Sequence, residues 1–162
     1  MFELFKKNKS RVIFAPMSGE IINIKNVPDK VFSKKMIGDG IAIKPNNGIV
    51  VSPCDGKIVT LFPTNHAIGI ETEEGLQILI HLGIDTVELK GEGFKSYVHK
   101  GDYVKAGDKI LEVDLDYCEK KGKSTISPII ITNMEIVEGI EKSNGLVNAT
   151  NDLAMKISFR CK

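Results

Sequence analysis

The sequence contains no tryptophan, only three cysteines and no excess of either charge. Its 22 basic and 21 acidic side chains provide no field of one sign, so we expect no nucleic-acid partner. No apolar run approaches the ~20 residues that a membrane-spanning helix needs. Cys54, Cys118 and Cys161 are widely spaced and form no CxxC pair, which argues against a disulfide framework and against a structural zinc site. These absences predict a cytoplasmic protein in a reducing compartment.

The amino-terminal residues 1–9, MFELFKKNK, lack the apolar segment of a signal peptide. We expect residues 1–10 to form a flexible tail, in which Phe2, Leu4 and Phe5 give at most a weak contact with a membrane surface. The rest of the chain, residues 11–162, has no linker rich in Ser, Gly or Pro, and its length suits a single domain.

Short apolar runs alternate with turn signals about every ten residues, which is the pattern of a sandwich or barrel. The sequence therefore predicts an all-β fold with a few short helical turns. The helical turns are expected at residues 86–90 and 115–121, and strands at 12–15, 20–24, 40–44, 49–52, 57–62, 66–71, 76–81, 109–113, 126–132 and 154–159.

One segment of the chain is repeated. Residues 15–22, APMSGEII, recur in modified form as residues 52–59, SPCDGKIV, and each copy is a Pro-to-Gly turn that leads into a strand. Two copies are too few for a solenoid, so we expect the duplicated units to pack on each other in one domain.

Two of the three histidines, His66 and His81, lie in two apolar runs that are joined by a polar loop over residues 71–75. A hairpin loop centred on Glu73 and Glu74 would place the histidines directly opposite each other, with Cβ atoms roughly 5 Å apart. Both side chains would then project from one face of the sheet. Thr64 would share this face, and Gly83 would let the backbone approach the His81 ring.

Two adjacent imidazolium charges would repel each other, so at least one of the two rings should be neutral near pH 7. A neutral imidazole is either a nucleophile or a metal ligand. A zinc hydrolase would need a third ligand, for which His99 and Asp85 are candidates without the usual ligand spacing. Phosphoryl transfer needs only one nucleophilic imidazole, a neighbouring donor and an accessible face. An interaction module, with both histidines structural, is the third possibility.

The segment from Gly75 to Val87, GLQILIHLGIDTV, closely resembles the active-site signature of glucose-type enzyme IIA, a phosphocarrier family of the bacterial phosphoenolpyruvate-dependent sugar phosphotransferase system. Residues 15–20 (APMSGE), 38–43 (GDGIAI), 64–67 (TNHA) and 88–94 (ELKGEGF) also resemble this family. The similarity extends over about residues 11–133, and its most characteristic part spans about 29–133.

The resemblance implies a duplicated hybrid-motif β-sandwich, sometimes described as a barrel-sandwich. It implies a phosphotransferase component in which His81 accepts a phosphoryl group from the histidine phosphocarrier HPr and passes it to a cysteine on the IIB domain of a glucose-type permease. His66 would stabilise the phosphoryl group and support its transfer, and Thr64 would orient His66. An apolar docking rim is implied at Val31, Phe32, Ile37, Phe62 and Val87, and acidic residues that meet partner arginines at Asp29 and Asp85.

No cofactor is required by this resemblance. Some relatives share a zinc ion between the histidine pair and a carboxylate of the partner, which would make His66 and His81 metal ligands here. Some also regulate targets such as glycerol kinase. Both properties are expectations that depend on particular partners.

Overall fold

The computed structural model describes residues 10–161 of the chain, which fold as an almost entirely β-structure. This part contains fourteen strands: β1 (Ser10–Phe14), β2 (Gly19–Asn23), β3 (Asp39–Pro45), β4 (Ile49–Val51), β5 (Gly56–Leu61), β6 (Ala67–Glu71), β7 (Gln77–His81), β8 (Phe94–Ser96), β9 (Tyr103–Val104), β10 (Lys109–Val113), β11 (Ser127–Ile131), β12 (Val137–Lys142), β13 (Gly145–Val147) and β14 (Leu153–Phe159). The helices are α1 (Lys30–Ser33) and α2 (Leu115–Lys120), and short 3₁₀ turns span Ile24–Asn26, Thr86–Leu89 and Met134–Ile136.

These strands form three antiparallel sheets. The largest has eight strands in the order β13-β2-β3-β11-β7-β6-β5-β9, and the two smaller sheets have the orders β1-β14-β12 and β4-β10-β8. Among residues 10–161, no helix is long and apolar enough to cross a bilayer. The predicted all-β fold with short helical turns is thus confirmed.

The two copies of the repeated segment are joined by reciprocal hydrogen bonds. The Phe14 amide donates to the Pro53 carbonyl at 2.9 Å, and the Val51 amide donates to the Pro16 carbonyl at 2.9 Å. Ser18 and Asp55, which occupy matching positions in the two copies, each accept a backbone amide at 2.9 Å, from Ala149 and Ala106 respectively. This approximate two-fold arrangement explains why the sequence repeats.

Successive side chains of a strand point to opposite faces of the sheet. Strands β3, β7 and β11 carry apolar side chains on both of these faces. Ile78 and Ile80 of β7 join the main core, whereas Leu79 packs on a smaller cluster formed by Ile24, Val27, Phe32, Ala42, Ile84 and Ile130. This second cluster fixes α1 against the outer face of the large sheet. His81 follows Leu79 by two residues and therefore lies on the same face as the smaller cluster.

All ten predicted strands overlap observed strands. Four strands were not predicted, because they are short or largely exposed: β8, β9, β12 and β13. The single-turn helix α1 was not predicted either. Ser10 pairs with Ser158 in β1, so regular structure begins within the segment expected to be a tail. The apolar side chains of Phe2, Leu4 and Phe5 lie outside the described residues.

Candidate functional site

The hairpin that carries the two histidines has a register one residue away from the predicted one. His81 pairs with Ala67, and Ile80 pairs with Ile68, so His66 is not directly opposite His81. The His66 carbonyl instead accepts the Leu82 amide at 2.7 Å. His66 lies just before β6 and follows Asn65, which has a φ of 58°, so the regular alternation of side chains does not extend to it.

The imidazole rings nevertheless contact each other, as predicted. Their centroids are 5.1 Å apart with an interplanar angle of 79°. Phe32 packs against His81 and Phe62 packs against His66, each with a centroid separation of 5.1 Å. Ala67, directly opposite His81, has only a methyl group and leaves room for this edge-to-face contact. The four rings thus form a continuous row that fixes the orientation of both histidines.

The Nδ1 atom of His81 lies 2.7 Å from the Gly83 carbonyl oxygen. A carbonyl oxygen can only accept a hydrogen bond, so this nitrogen carries the ring proton and donates it. In a neutral ring the proton on Nδ1 leaves a lone pair on Nε2. Gly83 makes this geometry possible because its φ is 76°, in the left-handed region that favours glycine.

Burial keeps His81 neutral, since it lowers the pKa of the imidazole more than the Gly83 hydrogen bond and the carboxylates of Asp29 and Asp85 raise it. The half-buried ring therefore presents a free lone pair at neutral pH. Such a group is a competent nucleophile.

His66 is buried and hydrogen-bonded to Thr64, whose hydroxyl contacts its Nδ1 atom. Burial, together with the nearby His81, lowers the pKa of His66 to about 4, so the ring is neutral at pH 7. When the Thr64 hydroxyl donates to Nδ1, the single ring proton of His66 lies on Nε2. In this state His66 offers an N–H donor beside the nucleophilic nitrogen of His81.

Most residues of the predicted apolar rim are exposed large side chains. Exposed fractions are 41% for Val31, 37% for Ile37, 38% for Phe62 and 52% for Val87. Phe32 differs, because it is only 6% exposed and lies beneath His81 as part of the smaller apolar cluster. Met36, which the sequence analysis missed, is 67% exposed in the segment that follows α1, next to Ile37. The sequence of a short loop does not show which of its apolar side chains are exposed.

The two predicted acidic residues have different local roles. A side-chain oxygen of Asp29 accepts the Val31 amide at 2.8 Å and so caps α1, which carries Val31 and Phe32. Asp85 is exposed at the start of a 3₁₀ turn with a φ of 59°, and its side chain makes no capping hydrogen bond there. Asp29 thus supports the local fold, whereas the Asp85 side chain is exposed to solvent.

Within residues 10–161, no group of three or more His, Cys, Asp or Glu side chains is arranged to hold a metal ion. His99, one of the candidates for a third ligand, is an exposed loop residue next to Asp102, with 3.7 Å between its Nδ1 and a carboxylate oxygen. The site itself contributes two imidazoles and no third donor. This donor set does not support a zinc hydrolase.

We expect Gly83→Ala to be strongly destabilising. A Cβ at this position would lie 2.7 Å from the Ser124 carbonyl oxygen and 2.7 Å from Cγ2 of Thr86. The left-handed backbone costs a non-glycine residue about 1–2 kcal/mol, and the clash adds about 1–3 kcal/mol. Urea unfolding measures the sum as a fall in the free energy of unfolding.

Gly122→Ala is the matched control for this substitution. Gly122 has the same φ of 76°, but nothing lies within 4 Å of the position that an added Cβ would occupy. Only the backbone cost should appear there. Equal losses in the two variants would contradict the close packing described around Gly83.

The domain is all-β, and it presents a neutral imidazole beside a second histidine within an exposed apolar rim. These are features of a protein that carries a phosphoryl group between partners. The comparisons with known proteins agree with this class. Residues 11–137 match the family described as phosphoenolpyruvate-dependent sugar phosphotransferase system, EIIA 1, and the chain belongs to this family.

Relatives of the chain share both its sequence and its fold. It is 50% identical to the PTS system glucose-specific EIIA component of Bacillus cereus over 161 residues, covering 99% of this chain and 98% of that one. The solved structure of the glucose permease IIA from Mycoplasma capricolum superimposes with a TM-score of 0.85 at 43% identity, covering 92% and 96% of the two chains. The glucose-specific EIICBA component of Staphylococcus carnosus is 48% identical over 139 residues, covering 83% of this chain and 21% of that one. The chain is therefore a phosphocarrier component of the sugar phosphotransferase system, and membership implies a permease partner.

Proposed function

We propose that the chain accepts a phosphoryl group from phospho-HPr on Nε2 of His81 and passes it to a cysteine in the IIB domain of a glucose-type permease. The observation that supports this most directly is the hydrogen bond from Nδ1 of His81 to the Gly83 carbonyl at 2.7 Å, because it leaves Nε2 with its lone pair. The names of the relatives support a permease specific for glucose.

In the first transfer, the Nε2 lone pair of His81 attacks the phosphorus atom of the donor phosphohistidine. The donor's P–N bond breaks, its electron pair returns to the donor imidazole, and a new P–N bond forms at His81. One P–N bond replaces another, and no proton needs to move. Nδ1 of His81 keeps its proton and its hydrogen bond to Gly83 throughout.

In the second transfer, a thiolate of the IIB domain attacks the same phosphorus atom. An S–P bond forms, the P–N bond to His81 breaks, and Nε2 recovers its lone pair. We assign His66 the role of donating its Nε2–H to a phosphoryl oxygen during this step, with Thr64 orienting the ring. The dianionic phosphoryl group also favours the protonated form of His66, because an opposite charge stabilises an imidazolium.

The docking surface that we propose for both partners is the rim around the histidines. Val31, Ile37, Phe62 and Val87 supply its exposed apolar area, and Asp29 and Asp85 supply negative charge for partner arginines. Rim charges mainly increase the rate of encounter, which suits a carrier that must release each partner quickly. Met36 extends this surface beyond the residues expected from the resemblance.

Two further expectations stay predictions. His66 and His81 would supply two imidazole ligands for a zinc ion shared with a partner, and the partner would have to supply a third ligand. Regulation of targets such as glycerol kinase would use the same rim.

The proposal is tested by reconstituting the chain with labelled phosphoenolpyruvate, enzyme I, HPr and a IIB domain. We expect acid-labile label on Nε2 of His81, followed by its loss to the IIB cysteine. Acid-stable label on a serine, base-labile label on an aspartate, or label on another histidine would refute the assignment of the carrier atom.

A further inference from the structure

The two peptide units that flank Gly83 are fully hydrogen-bonded, although strand β7 has already ended at His81. In the first unit, the Leu82 carbonyl accepts the Thr86 hydroxyl at 2.6 Å and the Gly83 amide donates to the Ser127 hydroxyl at 3.1 Å. In the second unit, the Gly83 carbonyl accepts Nδ1 of His81 at 2.7 Å and the Ile84 amide donates to the Ser124 carbonyl at 3.0 Å. All four polar groups of these units are satisfied.

Two of these partners are side-chain hydroxyls in the protein interior. Ser127 is 1% exposed, and Thr86 is fully buried. The Ser127 hydroxyl donates to the Thr125 carbonyl at 2.9 Å, which directs its lone pairs away from that carbonyl and towards the Gly83 amide. Ser127 is the first residue of β11, the strand that pairs with β7, so its side chain continues the pairing after the backbone ladder ends.

A glycine at a φ of 76° has no Cβ to restrict rotation of the peptide units on its two sides. The direction of the Gly83 carbonyl therefore depends on the hydrogen bonds that hold those units. The same carbonyl selects which ring nitrogen of His81 is protonated, since the tautomer of a histidine is set by the partner of its other nitrogen.

We propose that the buried hydroxyls of Ser127 and Thr86 are positioning groups that hold the Gly83 carbonyl against Nδ1 of His81 and thereby keep Nε2 nucleophilic. The inference rests on the proposed function of His81, and it deepens that function by adding two residues that do not touch the phosphoryl group. Their effect is expected on the tautomer of His81 and on the rate of phosphoryl transfer, and not on docking.

The test compares Ser127→Ala with the wild-type chain in two measurements. Nitrogen-15 NMR of the unphosphorylated chain should show only the Nδ1–H tautomer of His81 in the wild type and a mixture of tautomers in the variant. The kcat for phosphoryl acceptance should fall about five-fold, which corresponds to the loss of one hydrogen bond between neutral groups. The KM for HPr should not change, because the rim is untouched. Ser127→Thr, which restores a hydroxyl, should recover both the tautomer and the rate.

Ser52→Ala is the matched control, because Ser52 is also fully buried and its hydroxyl donates to the Cys54 carbonyl at 2.7 Å, away from the histidines. It should leave the tautomer and kcat unchanged. If Ser127→Ala does not fold, the tautomer and kcat are measured on a second variant, Thr86→Val. A pure Nδ1–H tautomer with wild-type kcat in the hydroxyl-deletion variants would overturn the proposal. The NMR measurement needs no phosphate, so it tests whether the hydroxyls set the tautomer of His81 even if labelling shows that His81 is not the carrier.

Discussion

Replacing His81 by glutamine should reduce phosphoryl incorporation to background. Glutamine matches part of the shape of the imidazole, but its amide nitrogen has no lone pair available for attack on phosphorus. We do not expect the second imidazole to take over, because His66 is only 4% exposed, whereas the His81 ring is half-buried. The measurement is the initial rate of label transfer from phospho-HPr at saturating donor.

His99→Gln is the control for this experiment. His99 is the third histidine of the chain, and its side chain is 92% exposed in a loop. Its removal should leave incorporation unchanged. Incorporation into the His81→Gln variant at more than a few per cent of the wild-type rate would mean that another group accepts the phosphoryl from HPr, and the proposed carrier atom would be wrong.

The contact between the two histidines was predictable from the sequence, but the register that produces it was not. The hairpin closes through the Thr72 amide and the Leu76 carbonyl at 2.9 Å, with Gly75 at a φ of 90°. This is a loop of three residues with glycine in the left-handed position, whereas the sequence analysis assumed an even-numbered loop. Gly75 was the available signal. The rings still meet because His66 lies outside β6, at the end of a turn in which the Asn65 amide donates to the Phe62 carbonyl at 2.7 Å.

The main features of the fold were predictable from the apolar runs in the sequence. Most predicted strands are apolar runs with buried side chains, as in β11, where all five residues from Ser127 to Ile131 are buried. Strand β12 is mostly exposed, so it has no hydrophobic signal, and it is held by pairing with β14. Phe32 was assigned to the apolar docking rim because a resemblance indicates which residue lies near a site. It does not indicate whether that residue forms the floor of the site or its edge.

The hydrogen-bond pattern of the site is compatible with the proposed use of one imidazole in two transfers. Nδ1 of His81 is held by the backbone, and Nδ1 of His66 is held by Thr64, so both free nitrogens are Nε2 atoms of rings in contact. His81 keeps its hydrogen bond to Gly83 when it is phosphorylated, and Thr64 stays the partner of Nδ1 of His66, with its hydroxyl changing from donor to acceptor where that ring is protonated. Under the proposed function, this preorganisation keeps the reorganisation needed during either transfer small.

Replacing His66 by glutamine should separate acceptance of the phosphoryl group from its release. The side-chain amide of glutamine can still donate a hydrogen bond to a phosphoryl oxygen, so acceptance from phospho-HPr should stay within a few-fold of the wild-type rate. Glutamine cannot carry the positive charge that the bound dianionic phosphoryl group favours on His66, and this charge is proposed to assist transfer to the IIB cysteine. Removing a group that stabilises charge in a transition state typically costs about 10²–10³-fold in rate, and we expect a loss of this size in the second transfer alone.

Single-turnover measurements distinguish the two steps. The variant is first loaded with label from phospho-HPr, separated from the donor, and then mixed with a IIB domain. We expect a phosphorylated form that accumulates and discharges slowly. Thr64→Val provides a graded comparison, because it keeps His66 but removes the hydroxyl that orients the ring, and its discharge should be slowed less than that of His66→Gln. Discharge of the His66→Gln variant at the wild-type rate would show that His81 alone supports release, and the division of roles between the two histidines would have to be abandoned.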